Sequence, residues 1–189
     1  MEFKTFFTAA AMAIGLSSAP SFAATLNVDG SGQLTGASGV NVGGTLYDVT
    51  FVDGTCTALF DGCDDVSDFT FTTRSDALAA SQALLDFVFI GDFDSVPNAT
   101  FGVAVPLGAA WTPYGFDSSM FTFAYAINSA STDSFGSGQN DVDFNTGSSD
   151  QDVFADWTVA TVPIPAGGML LLSALGGIAA LRRRLKSTV

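Results

Sequence analysis

The chain has 189 residues, of which 48% are apolar, enough for one domain with a hydrophobic core, and it is not an intrinsically disordered protein. It contains no histidine, so Ser-His-Asp and Cys-His nucleophilic catalysis is excluded and a zinc site is disfavoured. Between Ala24 and Pro165 there are eighteen aspartates and one cation, Arg74, a formal charge of −17 that excludes nucleic-acid binding. Such a surface either keeps an exported protein soluble or points to cations and neutral sugars as partners.

Residues 1–23 have the pattern of a secretory signal peptide. Lys4 gives a positive N-terminal region, Phe6 to Leu16 form an apolar stretch, and Ser21-Phe22-Ala23 places small residues at the two positions that signal peptidase reads. This order predicts cleavage between Ala23 and Ala24 and export of the protein.

Alternating apolar residues predict a hairpin around the glycine pair Gly43-Gly44. Tyr47, Val49 and Phe51 then share one face of the second strand. Three further alternating stretches predict strands with one buried face. They contain Phe69 and Phe71; Phe121, Phe123, Tyr125 and Ile127; and Val153, Ala155, Trp157 and Val159.

The two cysteines of the chain, Cys56 and Cys63, are separated by six residues. In the oxidising environment that an exported protein meets, such a close pair is expected to form a local disulfide.

The segment after Arg74 has helical periodicity. Ser75 is the expected N-cap, and the helix is expected to end near Phe87, where a strand could follow. Apolar and long side chains recur at helical spacing in two neighbouring rows, namely Leu78, Gln82, Leu85 and Phe89, and Ala77, Ala80, Leu84 and Val88.

Three aromatic residues, Trp111, Tyr114 and Phe116, surround Pro113 and Gly115 in a segment that is expected to be a loop. They could stack on a sugar ring, but aromatic residues beside such a turn more often close the end of a sheet.

Residues 128–152 are rich in Ser, Thr, Gly, Asn and Asp, which predicts a surface loop or short edge strands. Asp141, Asp143, Asn145 and Asp152 have a spacing similar to that of a calcium-binding loop, since calcium takes six to eight oxygen ligands. The glycine, Gly147, comes one position late, and aspartate replaces the final glutamate. The favoured alternative is a strand with Val142 and Phe144 pointing inward.

These patterns predict a mostly β fold for residues 24–161, a single antiparallel β-sandwich-like domain with one packed α-helix. They indicate no separate second domain.

The C-terminal residues 162–189 combine a proline-containing pentad, an uncharged stretch (167–181) and a basic cluster (182–186). As a helix, the fifteen uncharged residues span about 22 Å, against about 30 Å for a bilayer core, so they predict a short transmembrane helix. The cluster, Arg182, Arg183, Arg184 and Lys186, places the C-terminus in the cytoplasm. A plain single-pass anchor and a cleaved handle both fit this pattern.

The pentad Val162-Pro163-Ile164-Pro165-Ala166, with the helix and basic cluster behind it, resembles the VPLPA-CTERM sorting signal, which is of the PEP-CTERM type. Isoleucine stands at position 164 where that family has leucine. The resemblance implies that an exosortase, a membrane transpeptidase, recognises Val162 to Ala166, and that the protein passes from the inner membrane to the cell surface or extracellular matrix.

The sequence therefore predicts a non-enzymatic exported surface or matrix protein without a required cofactor. A glycoside hydrolase would need a pair of aspartates beside a cleft, but most of the aspartates have turn-forming neighbours. The alternative is a calcium-assisted carbohydrate-binding module of the exopolysaccharide matrix.

Overall fold

The computed structural model describes residues 23–161, which form one seven-stranded sheet with short helices around it. The strands lie in the order β1-β2-β3-β7-β4-β5-β6. Their bounds are β1 (Thr25–Val28), β2 (Leu34–Val42), β3 (Thr45–Val52), β4 (Leu107–Asp117), β5 (Met120–Ser129), β6 (Ser134–Asp141) and β7 (Asp152–Val159). The helices are α1 (Cys56–Leu59), α2 (Arg74–Phe87) and α3 (Asp92–Ser95), with 3₁₀ turns at Val66–Asp68, Pro97–Ala99 and Thr146–Ser148.

The mostly β fold is confirmed, although the sheet is mixed where the sequence predicts a purely antiparallel arrangement. Strands β4 and β7 run parallel and pair over Ala109 to Trp111 only. The other neighbouring strands are antiparallel. A short parallel ladder in the middle divides the sheet into a β1-β2-β3-β7 half and a β4-β5-β6 half, which is consistent with a β-sandwich-like domain.

The predicted hairpin is confirmed, with Gly43 and Gly44 between β2 and β3 and Val42 paired with Thr45. Near the start of β2, Gly36 has φ +148°, and a Cβ there would lie 2.0 Å from the carbonyl oxygen of Val49. Only glycine allows the two strands to approach this closely.

The predicted strand at Phe69 and Phe71 is wrong. Both rings are buried, but they join different apolar cores on the two sides of the sheet. Between them, the Thr70 hydroxyl donates a hydrogen bond to the carbonyl of Trp157, beyond the short β4–β7 ladder. The segment thus crosses from one face to the other, and its alternation reflects two separate cores.

The predicted helix is confirmed as α2, but its N-cap is Thr73, two residues before the expected Ser75. The Thr73 hydroxyl accepts a hydrogen bond from the backbone N–H of Asp76 at 3.2 Å. The buried row of the helix contains Ala77, Ala80 and Leu84. No strand follows Phe87, because the chain turns into the short helix α3.

Alternating side chains build two cores on opposite faces of the sheet. The helix-side core lies under α2 and includes Val49, Phe51, Val153, Ala155 and Trp157. The disulfide-side core lies on the other face. It contains Cys56, Phe60, Cys63, Phe69, Ala109, Trp111, Phe121, Phe123 and Phe154, with Tyr125, Ile127, Val142 and Phe144 packed against it.

Candidate functional site

The predicted disulfide is confirmed: Cys56 and Cys63 are bonded, with their Cα atoms 5.6 Å apart. Both sulfurs are fully buried in the disulfide-side core. The Phe60 ring inside the closed loop meets Phe69 and Phe154 edge to face, at centroid distances of 5.8 and 5.4 Å. The loop therefore covers one end of this face of the sheet.

Aromatic rings continue along the same face beyond the disulfide loop. Trp111 on β4 stacks on Phe123 of β5 at 4.4 Å between centroids, and Phe144 contacts Trp111 from above at 5.4 Å. Tyr125 and Ile127 extend the row of β5 toward the end where the sheet is not covered. The alternation predicted for Phe121, Phe123, Tyr125 and Ile127 is thus confirmed.

Edge strand β6 leaves room for these rings. Gly138 pairs with Phe123, and Gly136 pairs with Tyr125. A Cβ at Gly136 would lie 2.5 Å from the Tyr125 hydroxyl oxygen, and one at Gly138 would lie 3.2 Å from the Phe123 ring. The tyrosine ring therefore lies across the glycine backbone, and β6 contributes no side chain there that could cover it.

The uncovered end of this face forms an open groove of about 330 Å³, which we call the aromatic groove. Trp111, Phe123 and Tyr125 form its floor, with Leu107, Ala109 and Ile127 beside them and Gln151 and Asp152 at the polar rim. Leu107 is 40% exposed, while Trp111 and Phe123 are 7% and 6% exposed. The groove offers an apolar floor and a polar edge, a combination typical of small-ligand sites.

Of the three aromatic residues predicted to bind sugar, only Trp111 lines the groove. The segment is part of strand β4, so the expected loop is wrong. The β4–β5 pairing has a bulge between Pro113 and Gly115, and beyond it Tyr114 packs against the helix-side core. Phe116 is half-buried and pairs with Phe121.

Of the predicted calcium ligands, Asp141 ends β6 and Asp152 begins β7, with Asp143 and Asn145 between them, and the favoured strand through this segment is wrong. Asp141 accepts a hydrogen bond from the backbone of Asp143, Asn145 caps the turn at Thr146–Ser148, and Asp152 accepts one from Ser149. Val142 and Phe144 do pack inward, as expected. Within residues 23–161, no three acidic or cysteine side chains lie close enough together to hold a metal ion. Calcium binding stays a prediction.

Three aspartates have shifted pKa values. Hydrogen bonds from the Ser31 side chain and the Gln33 backbone lower the pKa of Asp29, and bonds from the backbone and side chain of Ser67 lower that of Asp65. Burial raises the pKa of Asp156 on β7. None of the three lines the aromatic groove, so these shifts mark turns and a half-buried strand position.

Sequence reasoning missed Phe123, Tyr125 and Gln151 as groove residues, together with the glycines opposite the rings. The repeated Gly-x-Gly in "SFGSGQN", next to a strand of alternating aromatics, is the available signal, because aromatic rings commonly lie over glycine on a neighbouring strand.

The sorting motif Val162 to Ala166, the apolar stretch 167–181, the basic cluster and most of the signal peptide lie outside the described residues. Within the described part, no helix has the length and apolarity needed to cross a bilayer. Comparison with known proteins gives no match, either to a protein family, to a curated protein or to a solved structure.

Proposed function

We propose that this chain is a non-enzymatic exported protein that acts at the cell surface or in the extracellular matrix after its C-terminal sorting signal has been processed by an exosortase. One observation carries the proposal: an acidic domain with a buried disulfide lies between the signal peptide and the C-terminal sorting motif. Strand β1 begins at Thr25, next to the expected signal cleavage site, and β7 ends at Val159, three residues before the pentad.

The disulfide supports an extracytoplasmic location, since such bonds persist in oxidising compartments. The formal charge of −17 on residues 24–165 also suits a protein that must stay dispersed outside the cell. The resemblance of Val162 to Ala166 to the VPLPA-CTERM pentad supplies the processing step.

The test is intact mass spectrometry of the protein from a host that carries an exosortase, in inner-membrane, surface and medium fractions. We expect a product that starts at Ala24 and ends near the pentad, recovered from the surface or medium. Replacing Pro163 and Pro165 together by alanine should retain the full tail in the membrane. Thr161→Ala, just outside the motif, is the matched control and should be processed normally.

An intact C-terminus in the wild-type protein, recovered only with the inner membrane, would show that the tail is an anchor. The second candidate function, a carbohydrate-binding module, is favoured by a different observation, the aromatic groove.

A further inference from the structure

We propose that the aromatic groove binds a neutral polysaccharide, with the face of a pyranose ring stacked on the half-buried ring of Tyr125. The groove lies wholly within the described domain. The inference rests on the proposed function only in that an exported protein meets such polymers, and it does not depend on how the tail is processed.

Tyr125 is the aromatic ring of the groove that a ligand can reach. Trp111 and Phe123 stack face to face at 4.4 Å and are only 7% and 6% exposed, so they form a buried base against which the ring of Tyr125 lies. Tyr125 is half-buried, is tilted by 56° to the Phe123 ring at 6.4 Å between centroids, and lies over Gly136. The sheet pairing fixes these rings, which means that a ligand would meet a floor that is already formed and would lose little free energy in ordering it.

The polar residues at the rim, Gln151 and Asp152, favour a ligand that carries hydrogen-bonding groups. Gln151 is exposed, and Asp152 accepts a hydrogen bond from Ser149 through one carboxylate oxygen, Oδ2. Its other oxygen, Oδ1, has no hydrogen-bond donor among the described residues. A purely apolar occupant, such as the uncharged stretch 167–181 or a second copy of this face, would bury the Oδ1 oxygen of that carboxylate without a hydrogen-bond donor, which is costly.

A pyranose ring matches both parts of the groove. Its C–H groups form an apolar face that can stack on aromatic rings, and its hydroxyls around the edge can donate to Asp152 and bond to Gln151. The volume of about 330 Å³ accommodates a sugar unit, and the open ends let a polymer chain pass through.

Charge selects among polysaccharides. With eighteen aspartates and one arginine between Ala24 and Pro165, the domain repels polymers that carry carboxylates or sulfates, and Asp152 stands at the groove itself. The ligand class is therefore neutral glycans.

The test uses the full chain in a polyoxyethylene detergent, which carries no sugar. The probes are three neutral polymers, namely hydroxyethyl cellulose, laminarin and galactomannan, with alginate as the acidic control. Retardation in gels that contain each polymer measures binding. The chain has two tryptophans, so a Trp157→Phe variant leaves Trp111 as the sole tryptophan, and its emission under tryptophan-selective excitation should change on binding.

We expect at least one neutral polymer, and not alginate, to retard the protein. Tyr125→Ala should weaken binding at least about tenfold, equivalent to about 1.4 kcal/mol. Gln151→Ala, at an exposed position where substitutions typically change stability by less than about 0.5 kcal/mol, should weaken binding about threefold. The matched control is Phe135→Ala, which removes an aromatic ring that is 47% exposed on β6 and outside the groove.

Three results would overturn the proposal: no retardation by any of the neutral polymers, equal retardation by alginate, or unchanged binding in both Tyr125→Ala and Gln151→Ala. None of these bears on the processing of the tail, so the failure of this inference is distinguishable from the failure of the proposed function.

Discussion

Removing the disulfide tests whether the covered end of the aromatic face depends on a closed loop. Cys56 and Cys63 are seven positions apart and enclose eight residues, counted inclusively. In the chain-entropy model, a loop of that length restricts the unfolded chain by about 2.5 kcal/mol at 25 °C. A protein of this size loses about 3 °C in melting temperature per kcal/mol, so we expect a decrease of about 8 °C.

The assay is thermal and urea unfolding, followed by circular dichroism, of the wild type and of a variant with both cysteines replaced by alanine. Alanine avoids placing hydroxyls at two fully buried positions. Ala58→Ser lies inside the same loop at an exposed position and should stay within about 0.5 kcal/mol of the wild type. A double variant as stable as the wild type would refute this prediction, because opening the loop would then add no conformational entropy to the unfolded chain.

Three other predictions concern charge and backbone. Burial raises the pKa of Asp156, so the ionised carboxylate makes the folded protein less stable as pH rises through the pKa of the folded state. Asp156→Asn should therefore have a higher melting temperature than the wild type at pH 7. This difference should disappear below about pH 3.8, the ordinary pKa of the group. A lower melting temperature for this variant at pH 7 would contradict the assignment. Gly36→Ala should cost about 2 kcal/mol or more in chemical unfolding, because its Cβ meets the Val49 carbonyl, whereas Gly30→Ala, in open space, is the control. Calcium and magnesium at equal ionic strength should raise the melting temperature equally by screening the aspartates; an excess effect of calcium that Asp143→Asn removes would instead establish the loop site.

The period-two patterns predicted much of the sheet because a strand with one buried face must alternate. The strands of the β2–β3 hairpin, β5 and β7 form as predicted, but β5 and β7 are buried on both faces, since Ala124 joins the helix-side core and Phe154 the disulfide-side core. Val159, expected on the buried face of β7, is 63% exposed. The same reasoning failed at Phe69 and Phe71, where two rings two residues apart enter different cores. A local sequence pattern predicts that both side chains are buried, but it does not predict which core each side chain enters.

The groove was harder to predict, because it forms where no loop or helix covers the aromatic residues of β4 and β5. Phe121 and Tyr125 share one side of β5, yet Phe121 is fully buried and Tyr125 is not. The difference arises from long-range packing of the disulfide loop and of Phe144. Similarly, Pro113 and Gly115 are typical of a turn, but the strand accommodates them as a bulge, which turns Tyr114 toward the opposite core.

The negative charge of the domain opposes self-association through its open aromatic groove. An exposed apolar surface favours self-association, since two grooves could bury their rings together. A formal charge of −17 on residues 24–165 opposes that contact at every orientation and leaves access to small or neutral polymers nearly unaffected. High salt screens the repulsion, whose range is about 10 Å at 0.1 M. Burial of the Asp152 carboxylate still opposes groove-to-groove contact when the repulsion is screened, so sedimentation in rising NaCl should show a monomer for the wild type and for Tyr125→Ala alike. Salt-induced oligomers of the wild type that Tyr125→Ala abolishes would show instead that the groove associates with itself.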